Sequence, residues 1–175
     1  MKGSALSFEV DVRSLPKSGH PVLYQATKEE CAALAELNGL LEVRSFAIDA
    51  VVEKWRSDGV RVRGRVTTDI VQECVVTLEP VPAHLDFPVE GTFIREGSKL
   101  ETGPVAEMIV DPDGDDPPEI FDGTKVDVGA HASELFSLAL DPYPRLEGAE
   151  LPKDVAEGDS SNPFAALVAL KNNVR

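Results

Sequence analysis

The sequence predicts an α+β domain: a curved antiparallel sheet, or a partly open β-barrel-like meander, with two or three short helices and a long acidic loop. Three observations lead there. Between Leu41 and Arg95 long extended runs follow one another, joined by an Asp58-Gly59 turn and broken at Glu79-Pro80. A capping signal at Thr27 opens a short stretch whose apolar residues recur at helical spacing. The run Asp111–Pro118 is acidic and proline-rich, with too little apolar area to offset chain entropy.

Length and composition bound the rest. A chain of 175 residues is expected to form a single domain, 1–175, large enough to bury a real core. Its 42% hydrophobic and 27% charged residues are ordinary for a soluble globular protein. No apolar run is long enough to span a membrane, and the first ten residues lack the apolar core of a secretory signal, so a cytoplasmic protein with no membrane partner is expected. Cys31 and Cys74, with His20, His84 and His131, offer no zinc-ligand spacing; no metal and no cofactor are expected. The net charge of −14 is uneven: residues 1–100 hold 12 Lys/Arg against 15 Asp/Glu, whereas residues 101–160 hold 3 against 16. Phosphates brought near such a block cost Coulomb energy, so wrapping of nucleic acid is disfavoured and no DNA partner is expected. The block suits a basic protein partner, or solubility alone.

Taken in order, Ser7–Arg13 alternates Phe8, Val10 and Val12 with polar residues and predicts a half-buried strand. Pro21–Gln25 can extend the chain again. Thr27-Lys28-Glu29-Glu30 is a capping box, Cys31, Leu34, Ala35 and Leu37 form an apolar face, and Asn38-Gly39 supplies a left-handed stop, predicting a helix over 28–38. Leu41–Lys54 is a long strand, Asp58-Gly59 a type I′ turn, and Val60–Gln72 the return strand. Val75–Leu78 keeps high β-propensity. Val81–Arg95 alternates cleanly, but Pro82 and Pro88 lack ladder donors and place it at an edge or at bulges. Residues 96–118 are expected to be a mobile acidic loop, with a possible short strand at Val105–Val110. Thr124–Val128 reads as a last short strand and Gly129–Leu140 as a helix ended by Asp141-Pro142. Residues 145–161 are irregular, and Asn162 caps a final short helix starting at Pro163 and continued by Phe164, Leu167, Val168 and Lys171.

The hairpin carries the main charge feature. If Asp58-Gly59 is a two-residue loop, Trp55 opposes Val62, Val51 opposes Val66 and Gly64 sits opposite Glu53. The other face then gathers Lys54, Arg56, Arg61, Arg63 and Arg65; a three-residue loop would flip the parity. Such a face is either solvated and paired with nearby acids or a phosphate-contacting surface, since like charges opposed across strands repel.

Chemistry-bearing motifs are missing. There is no glycine-rich phosphate loop, Gly-x-Ser-x-Gly elbow, His-Glu-x-x-His or Cys-x-x-Cys. The spacing in Asp111-Pro112-Asp113-Gly114-Asp115 is calcium-like, but position 12 is Asp122 where a glutamate belongs. No catalytic residues are assigned, and an enzyme is not expected.

Glu73-Cys74-Val75-Val76-Thr77-Leu78-Glu79-Pro80-Val81 resembles the centre of the YceD family, the large ribosomal RNA subunit accumulation proteins of bacteria and plastids. Many members carry a Cys-x-x-Cys-Leu-x-Pro-type motif there, so Cys74, Leu78, Glu79 and Pro80 are the matching residues. Gly64, Val126-Asp127-Val128-Gly129, Leu138-Ala139-Leu140-Asp141-Pro142 and Asn162-Pro163-Phe164-Ala165-Ala166-Leu167 extend the resemblance along most of the chain. Thr77 stands where the second cysteine would be, and Leu146–Gly158 has no cysteine, so the four-cysteine zinc site such members could form is impossible here. That pattern is similar to the alphaproteobacterial branch. The resemblance implies a non-catalytic role in accumulation or processing of large-subunit ribosomal RNA, hence in ribosome assembly. In one reading Lys54, Arg56, Arg61, Arg63 and Arg65 touch ribosomal RNA while the acidic region, with Asp111, Asp113, Asp115 and Asp116, holds a basic large-subunit ribosomal protein. In the other the protein is an adaptor binding only protein, its basic face neutralised internally.

Overall fold

The alternating run at the N-terminus yields less strand than its pattern predicts. In the computed structural model, which describes residues 5–98 and 117–150, β1 spans only Glu9–Asp11. The Asp11 carboxylate accepts from the Arg13 amide at 2.9 Å, turning the chain into a 3-10 turn over Val12–Ser14. β2 (His20–Gln25) follows. The capping box then opens α1 (Lys28–Asn38): the Glu30 amide donates to Thr27 Oγ1 at 3.2 Å, and the Thr27 amide donates to Glu30 Oε2 at 2.8 Å. A cap of this kind contributes about 1 kcal/mol. Gly39, at φ +64°, closes the helix where a side chain would be strained.

β3 (Glu42–Trp55), β4 (Gly59–Glu73) and β5 (Pro80–Arg95) form the expected antiparallel meander. The main sheet has the order β2-β3-β4-β5-β6, so it is open, not a closed barrel. Its last strand, β6 (Glu119–Phe121), runs parallel to β5 and, among the described residues, pairs with Phe93, Ile94 and Arg95. That parallel pair was not foreseen from local pattern. The proline rule was informative: among the described residues the rest of β5 is an edge, and Pro80, Pro82 and Pro88 share one parity along it. β7 (Lys125–Asp127) pairs with β1 as a separate ribbon. α2 (Val128–Ala139) is capped by Asp127, which accepts from the amides of Ala130 at 2.9 Å and Phe8 at 2.8 Å.

One face of the main sheet is buried. Phe46, Ile48, Ala50 and Val52 of β3, Val60, Val62, Val66 and Ile70 of β4, and Val89 of β5 pack beneath the helices with Leu34 and Phe136. The Phe136 ring meets Phe46 edge-on at 5.5 Å and stacks on Phe87 at 6.5 Å. The opposite face carries no layer among the described residues. The short strand expected at Val105–Val110, most of the 96–118 loop, residues 151–161 and the helix expected from Pro163 lie outside the described residues.

Candidate binding surface

The hairpin register differs from the expected one. Trp55 pairs with Gly59, Glu53 with Arg61, Val51 with Arg63, Ala50 with Gly64 and Asp49 with Arg65. The loop is therefore three residues, Arg56-Ser57-Asp58, and the parity flips. Gly59 does not supply a positive-φ turn position; Arg56 does, at φ +54°. Gly59 is needed for closeness instead: a Cβ there would lie 2.8 Å from Trp55 Cε3 and 2.9 Å from the Trp55 carbonyl oxygen.

This register breaks up the five-cation face. Lys54 pairs with Val60, on the parity of the buried face, and Arg56 sits in the loop. Arg61, Arg63 and Arg65 do share the open face, in rows that continue across β5. Glu53, Arg61 and Thr92 form one row; Pro21, Val51, Arg63 and Glu90 the next; Leu23, Asp49, Arg65 and Pro88 a third. Beyond them lie Thr67 with Asp86 and Asp69 with His84. Three arginines thus stand among five carboxylates, Asp49, Glu53, Asp69, Asp86 and Glu90, and no arginine directly opposes another. Arg65 Nε donates to Asp86 Oδ1 at 2.7 Å, which raises the guanidinium's pKa and lowers the carboxyl's. Asp69 is held low chiefly by His84 Nδ1, 2.8 Å away, and by Ser45.

The hairpin tip differs from the rest of this face. The Arg56 guanidinium lies 4.3 Å from the Trp55 ring centroid and that of Arg61 lies 5.6 Å from it. Among the described residues, no carboxylate comes within ion-pair distance of Lys54, Arg56, Arg61 or Arg63. Trp55 was missed in the sequence; the signal was a lone tryptophan beside an arginine at a hairpin shoulder. His131 was missed too. Its Nε2 lies 3.0 Å from the Glu90 carbonyl oxygen, and Gly91 makes room for the ring. Among the described residues its buried Nδ1 has no hydrogen-bond partner, Glu119 standing 3.6 Å away.

The motif segment is a turn, not a continuation of strand. After Cys74 the chain reverses over Val75–Thr77, and Leu78 takes φ +62°. The Leu78 amide donates to the Cys74 carbonyl and the Cys74 amide to the Glu79 carbonyl, both at 2.9 Å, so β5 can start at Pro80. Cys74 is fully buried. Its sulfur accepts from the amides of Thr77 and Leu146, each at 3.5 Å, and the Val75 amide donates to the Pro144 carbonyl at 2.9 Å. The hydrogen bond from the Thr77 side chain and then the Leu146 amide bring the thiol's pKa down to about 7. The residue at the second cysteine position therefore solvates the first.

A family model described as large ribosomal RNA subunit accumulation protein YceD matches residues 62–171, well over half of the chain. The chain belongs to the YceD family. No curated protein and no solved structure matches it. The YceD match begins inside β4 and takes in the Cys74 turn, α2 and the segment after Pro163. The family's description indicates a role in accumulation of large-subunit ribosomal RNA. Among the described residues no group of three His, Cys, Asp or Glu side chains could hold a metal ion, and no helix is long and apolar enough to cross a membrane. Asp111, Asp113, Asp115 and Asp116 lie outside the described residues.

Proposed function

We propose that this YceD-family chain supports large-subunit ribosomal RNA accumulation as a non-catalytic, cytoplasmic adaptor whose open sheet face meets a basic ribosomal protein. The observation that carries this reading is the interleaving of Asp49, Glu53, Asp69, Asp86 and Glu90 with Arg61, Arg63 and Arg65 in registered rows. Such a face repels a continuous phosphate backbone and complements a partner rich in Lys and Arg. The acids Asp111, Asp113, Asp115 and Asp116 add to that attraction. A second reading, direct contact with unpaired RNA, is favoured only at the tip, where Trp55 offers a ring and Arg56 and Arg61 carry guanidiniums free of described carboxylates.

Affinity capture of the full chain from lysate, with and without nuclease, separates the two. The adaptor reading expects a basic large-subunit protein to persist after nuclease treatment. Loss of every large-subunit component with the RNA overturns it.

A further inference from the structure

One end of the molecule is apolar and open, and the chain leaves the described structure beside it. The C-termini of α1 and α2 meet there: Ser137 Oγ donates to Asn38 Oδ1 at 2.6 Å. Gln72 Nε2 donates to the Asp141 carbonyl at 2.9 Å, the Leu41 amide to the Val71 carbonyl at 3.0 Å, and Leu146 reaches Cys74. These contacts bring Leu37, Leu41, Leu138, Tyr143, Val75 and Leu78 to the same end. All are exposed, Leu138 by 82% and Tyr143 by 71%. Apolar side chains gathered in this way mark a contact surface.

We propose that this end is covered by the chain's own residues 163–171. Three arguments point to this occupant. The first is reach: Ala149 donates to the Leu146 carbonyl in the last described turn, beside Cys74, and only residues 151–162 separate that turn from Pro163. Twelve residues span up to roughly 40 Å, more than a small domain needs. The second is pattern: Phe164, Leu167 and Val168 fall on one helical stripe of a segment too short to hold a helix without a docking surface. The third is charge. Neither α1 nor α2 has a basic residue in its last turn, so two carbonyl-bearing ends converge without a cation of their own. Residues 161–175 carry Lys171 and Arg175 and no acid, in a chain of net charge −14. The YceD match runs to residue 171, so the segment is part of the family pattern and not an appendage to it.

The test is photo-crosslinking of the purified full chain with p-benzoylphenylalanine in place of Phe164. Irradiated monomer is expected to crosslink to peptides carrying Leu37, Leu41, Leu138 or Leu78. The crosslink should fall to background in Leu138→Asp, and in Leu37→Asp as a second variant, with the thermal transition retained. A covalent dimer would place a second copy on this end, and crosslinks elsewhere or none at all would leave it to a separate partner; each of these overturns the proposal.

Discussion

Gly64→Ala tests the hairpin register, on which the composition of the open face depends. A Cβ at position 64 would lie 2.3 Å from the Asp49 carbonyl oxygen, 2.4 Å from Ala50 Cα and 2.5 Å from Ala50 Cβ. Two of these are backbone atoms of a strand paired on both sides, so no rotamer change relieves the overlap. Overpacking of this kind costs about 1–3 kcal/mol. Against it stands a gain of about 0.4–1 kcal/mol from the less flexible unfolded chain. The net expectation is a loss of up to roughly 2.6 kcal/mol, or a fall in Tm of up to roughly 10 °C for a domain of this size. Urea denaturation followed by circular dichroism reads it as a lowered midpoint at unchanged slope. Had Gly64 faced the flexible side chain of Glu53, alanine would fit and stabilise. A stabilised Gly64→Ala variant therefore refutes the register.

Phe136→Ala should cost about 3–5 kcal/mol, because the ring is fully buried against Phe46 and Phe87; a loss below about 1 kcal/mol in urea melts would show that α2 is not the lid of this core. Thr77→Val should raise the Cys74 pKa from about 7 toward the ordinary thiol value, read from thiolate absorbance against pH. The wild-type thiol is depressed in the folded state, so its contribution is complete above the unfolded pKa and lost as pH falls through about 7. Wild type should accordingly gain stability over Thr77→Val between pH 7 and pH 9, and parallel stability profiles would rule out the hydrogen bond as the cause. Asp49→Asn, Asp86→Asn and Glu90→Gln together remove three of the five acids and should create salt-sensitive RNA binding where wild type has little; an unchanged titration would mean the acids do not set the face's preference.

The elements were legible where their causes are local. The capping box and Gly39 are written within a dozen residues, and α1 spans the stretch they mark. Val60, Val62, Val66 and Ile70 share one parity in the sequence, and that is the parity β4 buries. What escaped depends on distant partners. An Asp-Gly pair signals a two-residue turn, yet here Trp55 opposes Gly59 across a three-residue loop and every opposed pair moves. That shift turned an apparent five-cation face into three arginines among acids. β6 joins β5 across an intervening segment of more than twenty residues, and the Cys74 sulfur is held in part by Leu146, 72 positions away. The cysteine motif identified the family, but the role of Thr77 could be seen only once the turn was folded.

On the proposed function, the open sheet face meets protein and not RNA. Its most direct test is fluorescence anisotropy of single-stranded ribosomal RNA titrated with full chain over a range of salt, comparing wild type with Arg61→Ser, Arg63→Ser and Arg65→Ser combined. Weak binding with the same affinity and the same salt slope is expected of both proteins. Three phosphate contacts on a single strand are worth about 0.7 each in that slope. A variant that binds more weakly and whose slope is shallower by about 2 would contradict the claim.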